Sequence, residues 1–216
     1  MDGLEVLAPV DSPRISVRKR DLEIVLQGIA PYANPKVDLE QYTTPADIAA
    51  DLLFRACYTY GDINGKTIID LGTGTGRLAI GAAILEAKSV VGIDVDSESL
   101  YAASANSRRM RLDVNWVVGD IESIRNLFDT VVMNPPFGTK QEHADIRFLR
   151  VALDIGKVIY SIHKSTTQSF ISQWLKDHDV EFEIVMATKM TIGHQFDFHR
   201  KQRYFVAVNI LRIMHS

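Results

Sequence analysis

Residues 66–80, KTIIDLGTGTGRLAI, join a short apolar run to an amphipathic run through three closely spaced glycines. The run KTIIDL is typical of a buried strand, and GRLAI begins a helical pattern. Glycines at positions 72, 74 and 76 let the backbone turn tightly and approach a ligand without side-chain obstruction. A strand, a glycine turn and a helix in this order predict a ligand site at the carboxyl edge of an open α/β sheet.

The alternation of apolar and amphipathic runs continues to the end of the chain. Further strands are predicted at residues 89–94, 114–120, 129–136, 157–163, 181–190 and 203–213, and helices at 76–87, 97–110, 144–156 and 167–178. Strands that alternate with helices of this length indicate an α/β fold with a mainly parallel sheet covered on both faces. Because no helical run separates the last two strands, we expect them to pair antiparallel at one edge.

The region before residue 66 is expected to be helical. In residues 43–61, TTPADIAADLLFRACYTYG, Thr44 is the predicted N-cap and Pro45 the first helical residue. Residues 30–42 contain two prolines and little periodicity, which predicts a loop. We expect one domain over residues 1–216, with 1–65 as an extension that covers the cofactor and 66–216 as the catalytic core.

Composition excludes several classes of protein. The chain of 216 residues is 46% hydrophobic and 24% charged, and its net charge of −3 argues against a generally basic nucleic-acid binder. Basic clusters nevertheless occur at residues 14–20, 108–111 and 199–203. No apolar run approaches the roughly 20 residues of a membrane helix, and the N-terminus lacks the apolar core of a signal peptide. Since Cys57 is the single cysteine, the simplest interpretation is a soluble cytoplasmic protein without a disulfide.

The glycine turn has a pattern that differs from the dinucleotide fingerprint G-x-G-x-x-G. Counted from Gly72, the third glycine of that fingerprint would fall at position 77, which is arginine. The observed pattern is D-x-G-x-G-x-G, beginning at Asp70. A carboxylate before the glycines suits an ammonium group better than a pyrophosphate. The pattern therefore predicts S-adenosylmethionine (SAM) as cofactor, held by Asp70 and by the loop residues Gly72, Gly74, Thr75 and Gly76.

Two more acids end strands at the same predicted edge. Asp94 ends the next strand, about twenty residues after the glycine turn, where a carboxylate can accept hydrogen bonds from ribose hydroxyls. Asp120 ends the third strand, placed to accept from the adenine amino group, and Ile121 is expected to pack on the adenine face. Three acids in register are a stronger indication of a SAM site than a glycine turn alone. No metal is predicted, because methyl transfer from SAM needs none.

The fourth strand ends in the sequence NPPF, residues Asn134, Pro135, Pro136 and Phe137, which we predict to be catalytic. A planar nitrogen, such as an adenine amine or a glutamine amide, delocalises its lone pair and is a poor nucleophile. The Asn134 side-chain oxygen and the Pro135 carbonyl can accept its two N–H groups and orient it toward a methyl donor. The prolines fix that carbonyl, and Phe137 offers a stacking face to a flipped base.

Residues 66–216 resemble class I SAM-dependent methyltransferases, and NPPF is similar to the [DNS]-P-P-[YFW] motif of members that methylate planar nitrogens. The fold implied is Rossmann-like: a seven-stranded, mainly parallel sheet with an antiparallel last strand and helices on both faces. The sequences LEQYTTP (39–45), NPPFGTK (134–140), YSIHKS (160–165) and FDFHRKQ (196–202) extend the resemblance to the METTL5-like N6-adenine methyltransferases of small-subunit ribosomal RNA. This resemblance implies cofactor contacts at Gln41 and Thr44. It also implies a small zinc-binding activator of the Trm112 type at the sheet edge.

Basic residues near the predicted sheet edge are candidates for binding RNA phosphates. They and their neighbours are His163, Lys164, Phe198, His199, Arg200 and Lys201. The two histidines have an alternative interpretation as neutral structural groups. Two other functions also stay open: N5-glutamine methylation of a protein, and a non-catalytic SAM-binding or RNA-binding subunit. Intact glycine and NPPF motifs favour an enzyme over the subunit, and FGTK after the prolines favours RNA over glutamine.

Overall fold

A computed structural model describes residues 17–137, 144–192 and 204–214. Within these residues the strands are β1 (Thr67–Leu71), β2 (Ser89–Asp94), β3 (Asn115–Val118), β4 (Phe128–Met133), β5 (Gly156–Lys164), β6 (Glu181–Ile192) and β7 (Tyr204–Met214). The helices are α1 (Lys19–Gln27), α2 (Ala46–Phe54), α3 (Arg77–Ile84), α4 (Ser97–Arg109), α5 (Ala144–Ile155) and α6 (Gln168–Asp177). None of these helices is long and apolar enough to cross a membrane.

The seven strands form one sheet in the order β3-β2-β1-β4-β5-β7-β6. The first five strands pair in parallel, whereas β7 runs antiparallel to both of its neighbours. This confirms the expected Rossmann-like class I methyltransferase fold and the antiparallel pairing of the last two strands. The edge strand at this end is β6, because β7 lies between it and β5.

Helices cover both faces of the sheet, which explains the continuous apolar runs of the central strands. Ile68 of β1 packs in a cluster that includes residues of α1, α2 and α3. Its neighbour Ile69 points to the opposite face and packs in a second cluster with residues of α5 and α6. Successive side chains of a strand alternate between faces, so a strand buried on both sides must be apolar at both.

The start of α2 differs from the predicted cap. The helix begins at Ala46, Pro45 occupies the cap position, and no side chain caps the helix. The predicted N-cap at Thr44 is therefore wrong. Its hydroxyl instead accepts a hydrogen bond from the Asn134 amide at 2.9 Å, a contact between positions 90 residues apart. The loop predicted before this helix is confirmed, apart from a short 3-10 turn at Val37–Leu39.

Candidate active site

The glycine loop forms the floor of a cavity at the carboxyl ends of β1, β2 and β4. All three of its glycines have positive φ angles, a backbone conformation that is strained for residues with a side chain but not for glycine. Gly74 is also approached closely, because a Cβ added there would lie 2.0 Å from the Tyr32 hydroxyl. Position 74 therefore needs glycine both for its backbone angle and for the space that Tyr32 occupies.

Asp70 lies under the loop with 1% of its surface exposed. Its Oδ2 accepts hydrogen bonds from the Thr73 hydroxyl at 2.6 Å and from the Ala79 N–H at 3.0 Å. Burial raises the pKa of Asp70 to about 7, although these two hydrogen bonds act in the opposite direction. Burying the charged Asp70 carboxylate costs free energy. A bound cation, such as an ammonium group, would offset that cost.

Asp94 links the second strand to the glycine loop. One carboxylate oxygen accepts from the Gly74 N–H at 2.9 Å, and the other accepts from the Asp96 N–H at 2.9 Å. Burial raises the pKa of Asp94, and these backbone donors partly counteract that rise. Both oxygens keep further lone pairs, so the carboxylate can also accept from hydroxyl groups in the cavity.

The end of β3 places its two predicted residues differently. Ile121 is buried and lines the cavity, as expected for a residue that packs on a base. Asp120 is exposed at the rim, where its carboxylate accepts from the Arg147 guanidinium at 2.5 Å and from the Glu122 N–H at 2.9 Å. Arg147 is the main reason that the pKa of Asp120 is lowered. To contact adenine as predicted, Asp120 would have to use a carboxylate that already binds Arg147.

The predicted cofactor residues that line this cavity are Gln41, Thr44, Asp70, Gly72, Thr75, Asp94 and Ile121. Gln41 is held on all sides: its side-chain oxygen accepts from the Lys36 N–H, and its amide donates to Asp96 and Ser99. Its amide therefore ties the loop before α2 to the first turn of α4. Three hydrogen bonds thus hold the Gln41 side chain in the cavity wall, and its polar groups already have partners within the protein.

Asn134 and Pro136 of the NPPF motif border the same cavity. The Asn134 side chain is held at both ends: its Oδ1 accepts from the Tyr42 hydroxyl at 2.9 Å, and its Nδ2 donates to the Thr44 hydroxyl at 2.9 Å. Burial raises the pKa of Tyr42 well above its ordinary value, so this hydroxyl stays protonated and can donate. The orientation of the Asn134 amide is thus set by residues far away in the sequence.

Residues 40–44, which we name the clasp segment, contact the NPPF motif through every second side chain. Glu40 accepts a hydrogen bond from the Phe137 N–H at 3.0 Å, and the Tyr42 ring lies 5.3 Å from the Phe137 ring between centroids. Thr44 supplies the third contact, to Asn134. Glu40, Tyr42 and Thr44 therefore face the motif, while Gln41 between them faces α4.

The predicted RNA contacts have different outcomes. The Lys164 ammonium lies 5.2 Å from the centre of the Phe137 ring, next to the NPPF motif. His163 is 1% exposed, its Nε2 lies 2.7 Å from the Ser161 hydroxyl, and burial lowers the pKa of its ring to about 3. The RNA contact predicted for His163 is corrected: the imidazole is buried and neutral, as its structural alternative requires.

Phe198, His199, Arg200 and Lys201 lie outside the described residues. Their predicted RNA contacts stay predictions.

Some side chains around the cavity were not among the predicted site residues. They are Tyr32, Glu40, Tyr42, Arg77, Arg147 and Phe148. Residues 40–44, EQYTT, do not alternate apolar with polar side chains, so the usable signal for Glu40 and Tyr42 was only their position next to Gln41 and Thr44, which the resemblance had already indicated. Tyr32 and Arg147 carried no comparable signal, since each reaches the cavity only through the packing of its loop or helix.

These residues fit SAM by their chemistry. Asp70 is a buried carboxylate for an ammonium, Asp94 has free lone pairs for hydroxyls, and Ile121 is an apolar surface for a base. Gly72 lines the cavity, whereas the Tyr32 hydroxyl fills the space next to Gly74. Asn134 and Pro136 of the NPPF motif border the same cavity as these residues.

The chain matches the family model described as Methyltransferase small domain at residues 43–155. It is 35% identical over 203 residues to the rRNA N(6)-adenosine-methyltransferase METTL5 of Danio rerio, covering 91% of this chain and 98% of that protein. It is 38% identical over 209 residues to an uncharacterized protein of Methanocaldococcus jannaschii, covering 91% and 94%. A crystal structure from Pyrococcus horikoshii superposes with a TM-score of 0.85 at 40% identity, covering 93% of this chain and 98% of that chain. The likeness thus extends well beyond the matched domain.

Proposed function

The chain belongs to the Methyltransferase small domain family and is a homologue of the METTL5 rRNA N(6)-adenosine-methyltransferases, and on this premise we propose that it methylates N6 of an adenosine in small-subunit ribosomal RNA. The methyl donor is SAM. The observation that carries the proposal is that Asn134 and Pro136 border the same cavity as Asp70 and Asp94. A group held by the NPPF motif is thereby next to a methyl donor held by the two acids.

The NPPF motif would bind the adenine amine by its two N–H groups. Asn134 Oδ1 accepts one hydrogen bond from Tyr42 and keeps a second lone pair for the amine. The Pro135 carbonyl is the second acceptor, and the proline rings restrict the directions it can take. Two fixed acceptors hold the nitrogen in one orientation and stabilise the positive charge that develops on it.

SAM supplies an electrophilic methyl group bound to a sulfonium. The amine nitrogen forms the new N–C bond, the S–C bond breaks, and one amine proton is released. That proton becomes acidic once the nitrogen carries the methyl group, so water can accept it. No strong base is needed, and buried His163, whose pKa is about 3, is not placed to act as one.

Phe137 and Lys164 would hold the flipped base and its backbone. The Phe137 ring already contacts Tyr42 on one side, so a base stacked on its other side would be enclosed. Lys164 lies close to this ring and can approach a phosphate next to the flipped nucleotide. The basic residues at 199–203 would extend this contact along the RNA. We also assign residues 1–65 the role of cofactor cover, with the clasp segment as the part that reaches the motif.

A zinc-binding activator of the Trm112 type would add to an edge of the sheet. Of the two edge strands, β3 is the better candidate. It is short, Val118 is 60% exposed, and Tyr101 on the neighbouring helix α4 is 81% exposed. The other edge, β6, has an irregular register between Ile184 and Met186, a feature that disfavours pairing with a further strand.

The proposed function is tested by incubating the protein with tritiated SAM, small ribosomal subunits and total RNA, and measuring tritium separately in RNA and protein. We expect the label in RNA, with ribosomal RNA of the small subunit as the main acceptor. Label in protein at glutamine would favour the competing N5-glutamine methyltransferase. SAM binding without transfer to either fraction, with or without the activator, would favour a non-catalytic subunit.

A further inference from the structure

Arg77 is the first residue of α3, directly after the glycine loop, and its side chain lines the cavity. Its guanidinium donates to two backbone carbonyls from the N-terminal region: Nη1 to Thr44 at 2.5 Å and Nη2 to Ile29 at 3.1 Å. The helix start is thereby joined to the clasp segment. Thr44 in turn accepts from Asn134, so Arg77 lies two hydrogen bonds from the NPPF motif.

The charge of Arg77 has no anionic partner among the described residues. No carboxylate there forms an ion pair with it, and its buried Nε has no hydrogen-bond partner in the described part of the chain. Burial lowers the pKa of the guanidinium, and the field of the exposed acid Asp47 raises it only in part. A partly buried cation that keeps an unused donor is costly unless an anion binds beside it.

The opposite charge lies at the same end of the same helix. Asp70 accepts from the Ala79 N–H, within the first turn of α3, and also lines the cavity. The start of α3 therefore presents a buried carboxylate and a partly buried guanidinium to one cavity. A small zwitterion with an ammonium and a carboxylate on the same carbon complements such a pair.

We propose that Arg77 binds the α-carboxylate of the methionine part of SAM, while Asp70 attracts its ammonium. The inference rests on the proposed function only in taking SAM as the cofactor. The unused donors of the guanidinium would form charge-assisted hydrogen bonds to the carboxylate. Arg77 would thus recognise the amino-acid end of the cofactor, in addition to holding Thr44 and Ile29 in place.

A purely structural role for Arg77 predicts a different result. If the guanidinium only joined α3 to the clasp segment, its loss would disturb the whole cavity and weaken every ligand alike. The two roles are separated by 5'-methylthioadenosine, which keeps the adenine, the ribose and the sulfur of SAM but lacks its amino-acid group. Because 5'-methylthioadenosine has no carboxylate, it cannot form the contact proposed for Arg77.

The test is calorimetric binding of SAM, S-adenosylhomocysteine and 5'-methylthioadenosine to the wild type, Arg77→Gln and Arg77→Lys. The matched control is Arg108→Gln, at an exposed position on α4. For Arg77→Gln we expect Kd to rise about 10- to 100-fold for both amino-acid ligands, as for the loss of a hydrogen bond to a charged group. The Kd of 5'-methylthioadenosine should stay within about 2-fold. Arg77→Lys should give an intermediate loss, because it keeps the charge but not the planar donors.

Equal losses for all three ligands, or no loss for SAM, would overturn the assignment of Arg77. If Arg77→Gln unfolds at the assay temperature, the same comparison is made with Arg77→Lys, whose selective loss for the amino-acid ligands is then the required result. Failure of the wild type to bind SAM would instead overturn the proposed function. The two failures are therefore distinguishable in one series of titrations.

Discussion

The two ends of the cavity can be compared by the distance along the chain that their hydrogen bonds span. At the glycine-loop end (residues 70–77 with Asp94), Asp70 binds a residue 9 positions away and Asp94 binds one 20 positions away. At the NPPF end (residues 134–137 with the clasp segment), Asn134 binds partners 92 and 90 positions away. Apart from Arg77, whose guanidinium donates to Ile29 and Thr44 of the N-terminal region, the glycine-loop end is thus built from one strand–turn–helix unit and its neighbour. The NPPF end forms only when the N-terminal region packs onto the sheet.

The two ends are therefore expected to have different roles, cofactor binding at the glycine-loop end and methyl transfer at the NPPF end. The glycine-loop end contains Asp70, Asp94 and Arg77, which are assigned to SAM, and residues 134–137 of the NPPF end contain the groups assigned to the acceptor nitrogen. Gln41 and Thr44 of the clasp segment are expected to contact the cofactor from the NPPF side. Changes at the first end should alter cofactor affinity, and changes at the second should alter the rate of transfer. Thr44 connects them, because its carbonyl accepts from Arg77 and its hydroxyl accepts from Asn134.

The largest expected effect is at the NPPF end. Asn134→Ala removes one of the two acceptors for the amine, and we expect transfer to RNA to fall by at least about 100-fold. The Kd for SAM should change little, which is measured by calorimetry on the same preparation. A variant that lost SAM binding but retained transfer would contradict the separation of the two ends.

At the glycine-loop end, Asp94→Asn should act in the opposite way. The variant loses a charged acceptor for the ribose hydroxyls, so we expect Kd for SAM to rise about 10- to 100-fold. At saturating SAM the transfer rate should stay close to that of the wild type. Asp113→Asn, at an exposed position, is the matched control and should bind like the wild type. Unchanged affinity in Asp94→Asn would remove Asp94 from the cofactor site.

Asp70 gives the glycine-loop end a predicted pH dependence. Its pKa is raised to about 7, so below pH 7 the carboxyl is mostly protonated and must lose a proton to bind an ammonium. SAM affinity should therefore fall as pH decreases, by at most about 10-fold per pH unit, between pH 7 and pH 6. The affinity for 5'-methylthioadenosine, which has no ammonium, should change much less over this range. Parallel pH dependence for the two ligands would show that Asp70 does not meet the ammonium.

A smaller effect is expected when the clasp segment is weakened. Tyr42→Phe keeps the ring against Phe137 but removes the hydroxyl that donates to Asn134. The Asn134 amide is then oriented by Thr44 alone, and we expect the transfer rate to fall about 3- to 10-fold with SAM affinity unchanged. Tyr58→Phe serves as the control, because its hydroxyl accepts from the Val17 N–H and Tyr58 is not among the residues that line the cavity. If Tyr42→Phe lowers the affinity for SAM as much as it slows transfer, the clasp segment contributes to cofactor binding as well as to transfer.

The smallest effect is expected at Lys164. Lys164→Ala should weaken RNA binding about 2- to 5-fold at low salt, and less at high salt, because a single phosphate contact is lost. Binding of labelled small-subunit RNA over a series of salt concentrations measures both the affinity and its salt dependence. An unchanged salt dependence would place Lys164 outside the RNA path, and its role would then be the contact with Phe137.

The sequence was most informative where the contacts are local. The strand–glycine–helix pattern at Asp70 and the acids that end the next strands predicted the central strands, the fold class and five of the seven predicted cofactor residues that line the cavity, because parallel strands bring their carboxyl ends to one edge. The other two, Gln41 and Thr44, came from the resemblance to N6-adenine methyltransferases. His163 was misassigned because its position near the end of an apolar strand does not reveal whether its side chain points into the core. Thr44 matched a cap pattern but is used by Asn134, and no local pattern contains a partner 90 residues away. Arg77 appeared only as the residue that breaks a dinucleotide fingerprint.

The role assigned to the NPPF end is to present an adenine amine to the cofactor. It is tested most directly by digesting the labelled RNA to nucleosides and identifying which one carries the methyl group, for the wild type and Asn134→Ala side by side. We predict that N6-methyladenosine carries the label with the wild type and that Asn134→Ala, still bound to SAM, yields almost none. Label in a different nucleoside, or an equal yield of N6-methyladenosine from both proteins, would contradict this account.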